Sequence, residues 1–236
     1  MNIALIIAGG SGRRMNNEIP KQFLNINDKP IIIYTLEAFQ NHPGIDEIGV
    51  VCIDGWQHIL SAYAKQYHIN KLKWIVTGGE NGQGSIRNGV FEAEKLYGKE
   101  SDNIILVHDS IRPLVSPEII SDCIITCEKH GSAVVVVPCN TVVLKKTADE
   151  YSEEIVPRNE LAITQTPQAF PLKKLVWAHK EALEKGITNS IASCTLMVEL
   201  GEKIYFSIGS ETNIKLTTVE DIEIFKALLN VKKEEY

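Results

Sequence analysis

The chain has 236 residues, of which 44% are hydrophobic and 23% charged, with a formal net charge of −6. That length and apolar content suit one α/β unit around one sizeable core, and the acidic balance argues against nucleic acid or an anionic membrane as partner. No stretch approaches transmembrane length, no secretory leader is evident, and five scattered cysteines in apolar surroundings suit reduced core thiols, so a cytoplasmic protein is expected.

The apolar run from Ile3 to Ile7 predicts a first buried strand, and Ala8-Gly9-Gly10-Ser11-Gly12-Arg13-Arg14-Met15 leaves its carboxyl end, followed by Pro20-Lys21-Gln22-Phe23. A helix is predicted from Pro30 through about Asn41, then a strand over Ile48 to Ile53, a helix over Trp56 to Tyr67 and a strand over Leu72 to Val76. That strand ends in a second glycine turn, Thr77-Gly78-Gly79-Glu80, which faces the first. Ser85 to Leu96 reads as an amphipathic helix, and Asn103 to Val107 as a strand that ends in His108-Asp109-Ser110-Ile111-Arg112-Pro113. Pro117 to Lys129 is predicted helical with Cys123 and Cys127 turned inward, and Ala133 to Val137 reads as a strand buried on both faces.

This alternation predicts a Rossmann-like α/β fold with a mostly parallel sheet and right-handed crossovers. It breaks at Thr141 to Ile163, where β-branched pairs flank a charged turn and predict a two-stranded arm over about 139–165. A lone hairpin is marginal in water, so the arm is expected to pack on a second subunit. Helices are then predicted over Leu172 to Lys185 and Ile191 to Leu200, a strand over Lys203 to Ser207, and a last helix capped by Thr218 with Asp221 three residues on. Residues 1–230 thus read as a single domain and 231–236 as a frayed tail.

Glycines at 9, 10 and 12 let backbone N–H groups turn toward one anion, and Arg13, Arg14 and Lys21 add fixed positive charge, a combination suited to a polyphosphate. The spacing fits neither the P-loop nor the dinucleotide fingerprint. Asp109 and Arg112 share a turn, one offering a carboxylate to a metal or hydroxyl and the other a fork to a phosphate. His108, closing a strand, reads as structural. Arg158 and Lys215 are cations flanked by apolar residues, where a charge lacking a partner is costly and an anionic second substrate would supply one. Two phosphorylated ligands among fixed cations point to phosphoryl or nucleotidyl transfer with a metal ion.

Ala-Gly-Gly-Ser-Gly-Arg-Arg-Met with Pro-Lys-Gln-Phe, His-Asp-Ser-Ile-Arg-Pro, Arg158-Asn159-Glu160 with Gln165-Thr166-Pro167-Gln168-Ala169-Phe170, and Asn213-Ile214-Lys215-Leu216-Thr217 resemble, in order and over nearly the full length, the cytidylyltransferases that act on methylerythritol phosphate or ribitol phosphate. The resemblance implies a nucleotidyltransferase domain, a homodimer joined by the β-arm, and transfer of CMP from CTP with magnesium (Mg2+) and release of pyrophosphate. It implies Arg14, Lys21, Asp109 and Lys215 as catalytic residues, and Ala8, Gly9, Gly10, Ser11, Gly12, Arg13, Gly79, Glu80 and Ser85 as the CTP site. Arg112, Thr141, Arg158 and Thr166 are implied as contacts to the polyol phosphate, some reaching the neighbouring subunit's site.

Two departures bear on the acceptor. Gly82 stands where many methylerythritol-phosphate enzymes have an arginine, and both branches usually carry an aspartate near the place of Ala192, in a Thr-Asp or Ser-Asp pair. Trp56, Arg158-Asn159-Glu160 and the surroundings of Cys194 and Glu199 look nearer to the ribitol-phosphate branch. The leading expectation is therefore synthesis of a CDP-alditol such as CDP-ribitol for a surface polymer or glycan, with methylerythritol phosphate and isoprenoid synthesis as the rival. A catalytically silent nucleotide-binding regulator is the reading from another class, and the cations around the transferred phosphorus speak against it.

Overall fold

The computed structural model describes residues 1–10, 19–98 and 102–234. The glycine-loop residues Ser11, Gly12, Arg13 and Arg14 lie outside the described residues. In β1 (Asn2–Ala8), Ile3, Ala4, Leu5 and Ile6 have no exposed surface, as expected of a strand covered on both faces. A 3-10 turn (Lys21–Phe23) and a small ladder of β2 (Asn25–Ile26) with β3 (Lys29–Pro30) lead into α1 (Ile31–Gln40).

The βαβ alternation then runs through β4 (Glu47–Cys52), α2 (Gln57–Gln66), β5 (Leu72–Thr77), α3 (Gly82–Tyr97), β6 (Ile104–Asp109), α4 (Pro117–His130) and β7 (Ala133–Pro138). Local chemistry sets the ends. Helix α3 begins at Gly82 rather than Ser85 because the Asn81 side chain accepts the Gly84 N–H at 2.8 Å. Helix α4 has Ser116 as its N-cap and Pro117 in its first turn, and stops at Gly131 with a φ of 77°.

The predicted excursion is a hairpin of β8 (Val143–Lys145) and β9 (Glu154–Val156) leading to a 3-10 turn (Arg158–Glu160). The segment after that turn departs from the expected pattern. β10 (Ala162–Pro171) is a full strand that inserts antiparallel between β6 and β7. Pro167 lacks a ladder donor and argues against a central strand, but the register shifts between Thr164 and Gln168, and the irregularity takes up the proline. The chain ends with α5 (Leu172–Glu184), α6 (Ser193–Glu199), β11 (Phe206–Ile208) and α7 (Val219–Glu234).

β11 is shorter than the predicted strand and shifted toward the carboxyl end. Helix α7 runs through 231–234, so the predicted frayed tail is helical there. Its start is fixed by Asp221 Oδ2, which accepts the Thr217 and Thr218 N–H groups at 2.6 and 2.8 Å, while Thr218 Oγ1 accepts the Asp221 N–H at 3.3 Å.

Among the described residues seven strands form the main sheet in the order β11-β7-β10-β6-β1-β4-β5, parallel except for β10. This is the expected mostly parallel, Rossmann-like sheet. Alternate residues of β1 point to opposite layers. Ala4, Ile6 and Ala8 join a core with α1, α2 and α4, whereas Leu5 joins one with α3, α5 and α6. A third cluster seats Phe225 of α7 on Ile31, Ile111 and Leu216. All five cysteines are buried and free, with Cys123 and Cys127 in the first core. Among the described residues no helix is long and apolar enough to cross a membrane.

One core residue carries a cost. His179 of α5 is 1% exposed, and neither ring nitrogen has a hydrogen-bond partner. Burial, with Arg87 adding repulsion, pushes its pKa down to about 4, so the native ring is neutral. The unfolded chain binds the proton near the ordinary value of about 6.5. Native stability therefore falls as pH drops from 6.5 toward 4, by up to about 3 kcal/mol from this residue. His179→Leu is expected to remove that share of the acid sensitivity in urea unfolding measured at several pH values; an unchanged pH slope would contradict it.

Candidate active site at the carboxyl ends of the parallel strands

The carboxyl ends of β1, β4, β5 and β6 open into a cleft of about 870 Å³. Gly9, Gly10, Lys21, Gly79, Glu80, Ser85, Asp109, Arg112, Thr166 and Lys215 all line it. The two glycine turns face each other, as expected. A Cβ on Gly78 would lie 3.2 Å from Gly9 Cα, and one on Gly79 would lie 2.5 Å from the Gly84 carbonyl carbon, which leaves no room for a side chain. Ser85 Oγ accepts the Gly79 N–H at 3.0 Å and so holds the second turn against α3. Glu80 is exposed at the rim.

The first turn is held by a residue whose role the sequence did not announce. Gln22 is 2% exposed, and its amide donates to the Ala8 carbonyl at 2.8 Å and the Gly10 carbonyl at 3.0 Å. A glutamine in a polar stretch has no periodic signature. Only the Pro-Lys-Gln-Phe motif around Lys21 pointed to its neighbourhood.

Asp109 forms the charged centre. Lys215 Nζ lies 3.1 Å from each carboxylate oxygen, and Arg112 Nε lies 3.2 Å from Oδ2. Arg112 is fixed in turn by the Asn213 carbonyl at 2.6 Å from Nη1. Burial raises the Asp109 pKa, but Lys215 and Arg112 more than offset it and hold the carboxyl below its ordinary value. The site therefore presents an ionised carboxylate with two cations that line the cleft.

Beneath this triad lies a buried polar layer. His108, fully buried, contacts the Arg112 carbonyl through Nε2 at 3.1 Å and Thr166 Oγ1 through Nδ1 at 3.0 Å. Thr166 Oγ1 also accepts the Asp109 N–H at 3.1 Å. Burial pushes the His108 pKa down to about 4, so the ring is neutral. Both ring nitrogens thus find partners within the fold. Asn213, also fully buried, donates to Gln165 Oε1 at 3.1 Å and to the Thr166 carbonyl at 2.9 Å. These bonds lock the irregularity of β10 to the segment that carries Lys215.

Thr141 and Arg158 do not line the cleft of their own chain. Both are exposed on the arm. The burial cost expected for the Arg158 charge is therefore not incurred in this chain. The segment with Ala192 does reach the cleft: Ile191, Ala192 and Ser193 line it, and Ile191 is 90% exposed. Side chains outside the segment set its path. Gln83 donates to the Ile187 carbonyl at 2.6 Å and accepts the Ser190 N–H at 2.7 Å, Asn81 donates to the Thr188 carbonyl at 2.9 Å, and Gln168 accepts the Cys194 N–H at 2.9 Å.

A parallel sheet whose carboxyl ends gather two glycine turns, three cations and one paired carboxylate defines a nucleotide-binding α/β transferase. The sequence pattern of the family described as IspD, 2-C-methyl-D-erythritol 4-phosphate cytidylyltransferase, matches residues 2–231, and the chain belongs to that family. It is 43% identical over 236 residues to the ribitol-5-phosphate cytidylyltransferase of Lacticaseibacillus paracasei, covering 99% of this chain and 100% of that protein. It is 36% identical over 230 residues to the 2-C-methyl-D-erythritol 4-phosphate cytidylyltransferase of Clostridium botulinum strain Langeland, covering 97% of each. The structure is similar to 4-diphosphocytidyl-2C-methyl-D-erythritol synthase of Anaerococcus prevotii, with a TM-score of 0.82 and 25% identity over 97% of this chain and 96% of that one.

Gln22→Ala is expected to leave the Ala8 and Gly10 carbonyls without these partners and to lower stability by about 1–3 kcal/mol. Hydrogen exchange should quicken at residues 8–10 before the rest of the sheet responds. Exchange unchanged there would remove Gln22 from its role.

Proposed function

We propose that the chain transfers CMP from CTP to ribitol 5-phosphate, giving CDP-ribitol and pyrophosphate. The observation that carries nucleotidyl transfer is Asp109 held ionised between Arg112 and Lys215, in one cleft with the glycine turns and Lys21. The acceptor is supported by the names of the relatives. Ribitol-5-phosphate cytidylyltransferases match at 37–43% identity, and 2-C-methyl-D-erythritol 4-phosphate cytidylyltransferases at 35–37%.

An oxygen of the acceptor phosphate attacks the α-phosphorus of CTP, one P–O bond forms, and the bond to the β-phosphate oxygen breaks. The electron pair leaves on pyrophosphate. A phosphate monoester has its second pKa near 6, so at neutral pH the attacking oxygen needs no general base. Backbone N–H groups of the first glycine turn and the base-side residues Gly79, Glu80 and Ser85 hold the nucleotide. Lys21, with Arg14 by its motif, neutralises charge at the reacting phosphorus and leaving group. Lys215 and Arg112 orient the acceptor phosphate.

Among the described residues no group of three or more His, Cys, Asp or Glu side chains is arranged to hold a metal ion. One ionised carboxylate beside phosphate sites nevertheless fits magnesium bound mainly by substrate oxygens and water, with Asp109 as its protein ligand. Magnesium supplies charge neutralisation on the triphosphate when bound.

The arm supports a homodimer in which Thr141 and Arg158 serve the neighbouring cleft. Val142, Leu144 and Ile155 on the hairpin are 78%, 57% and 80% exposed, an apolar surface that a second copy would cover.

With CTP and magnesium, pyrophosphate release is expected with ribitol 5-phosphate in preference to arabinitol 5-phosphate, glycerol 3-phosphate and methylerythritol 4-phosphate. Preference for methylerythritol 4-phosphate would move the protein to the rival reading. Lys21→Ala should lower kcat by about three orders of magnitude with the fold intact, the scale of one lost preorganised contact to the transition state. Survival of activity within a few-fold would reject that role. Arg158→Ala should chiefly raise KM for the polyol phosphate; a raised KM for CTP with an unchanged acceptor dependence would reverse the assignment.

A further inference from the structure

For a neutral ring the hydrogen bonds around His108 have only one consistent set of proton positions. The Arg112 carbonyl can only accept, so Nε2 of His108 carries a proton. The ring is fully buried against Phe39, and its nitrogens touch a carbonyl and a hydroxyl but no carboxylate, which favours the neutral form, while the adjacent Asp109 carboxylate is committed to Lys215 and Arg112. Nδ1 is then bare and accepts, so the Thr166 hydroxyl donates to it. The Thr166 oxygen already accepts the Asp109 N–H. One lone pair is left, and Thr166 lines the cleft.

We propose that His108 is a positioning residue that takes the Thr166 hydroxyl proton, so that Thr166 meets the acceptor substrate as a hydrogen-bond acceptor only and selects one of its hydroxyl groups. An ionised phosphate oxygen also only accepts, so Thr166 cannot bind one while His108 holds its proton. The phosphate is left to the cations. This division of labour rests on the alditol phosphate proposed above. It gives a neutral, buried histidine a part in choosing a polyhydroxylated acceptor without contact to it.

Two measurements test this on the full chain. In the ligand-free protein with 15N-labelled histidine, nitrogen-proton correlation spectra at neutral pH should show His108 protonated at Nε2 and bare at Nδ1. A proton on Nδ1 would overturn the proposal, and this measurement needs no variant and no substrate. The second compares His108→Asn with His108→Gln, using CTP and ribitol 5-phosphate. Asparagine can place its amide oxygen near the position of Nδ1 and keep the Thr166 bond, whereas glutamine reaches the position of Nε2 and keeps only the Arg112 bond. His108→Gln should raise KM for ribitol 5-phosphate by about tenfold, the scale of one misdirected hydrogen bond, with KM for CTP little changed. His108→Asn should restore most of that loss. Equal effects of the two variants, or a loss seen equally in both substrates, would reduce His108 to a packing role. No turnover of ribitol 5-phosphate by the unaltered protein would overturn the parent reading and the hydroxyl selection with it, while the spectra would still decide the direction of the Thr166 proton.

Discussion

The carboxylate of Asp109 ends a central strand, and its position depends on cations brought from two directions. Burial alone would favour the neutral acid. Arg112 comes from the same turn, so its contact is local, but Lys215 arrives across 106 positions of sequence. The segment that delivers it is stitched down at three places: Arg112 to the Asn213 carbonyl, Asn213 to the Thr166 carbonyl, and the Leu216 N–H to the Ile111 carbonyl at 2.9 Å. The charged triad is thus the visible face of a buried hydrogen-bond layer that joins β6, β10 and the approach to α7.

That layer also accounts for the break in the parallel sheet. An uninterrupted strand between β6 and β7 would spend its backbone groups on its neighbours. The shift between Thr164 and Gln168 frees this stretch from the regular ladder; the Thr166 carbonyl accepts from Asn213 instead, and the side chains of Gln165 and Thr166 bond Asn213, Ser210 and His108. The irregularity borders the cleft, which Thr164, Gln165, Thr166 and Gln168 line.

The parallel half of the fold was legible because its strands are short apolar runs closed by glycine turns, and because Ser116-Pro117 and Gly131 mark the two ends of α4. Asp109, Arg112, Lys21 and Lys215 were legible as chemistry, and the structure gathers them in one cleft. β10 was not legible as a strand, since Pro167 and two glutamines contradict the pattern of a central strand. Gln22, Gln168 and Asn213 were equally hidden. Each is a polar side chain buried against partners distant in sequence, and such pairing leaves no period to read. Around Arg158 the apolar neighbours suggested burial, whereas Ile155, Pro157 and Arg158 are exposed on the arm of the single chain.

The segment before α6 separates path from identity. Its backbone is held by Asn81 and Gln83 from the start of α3 and by Gln168 from the β10 side, none of them in the segment itself. The residues it presents to the cleft, Ile191 and Ala192 among them, therefore carry little of the load of folding it. A change of side chain there alters what the cleft offers an acceptor while the chain keeps its course. On this account Ala192 presents only a methyl group to the cleft at small structural cost, and the side chains at 191–193 can change while Asp109, Arg112 and Lys215 stay as they are.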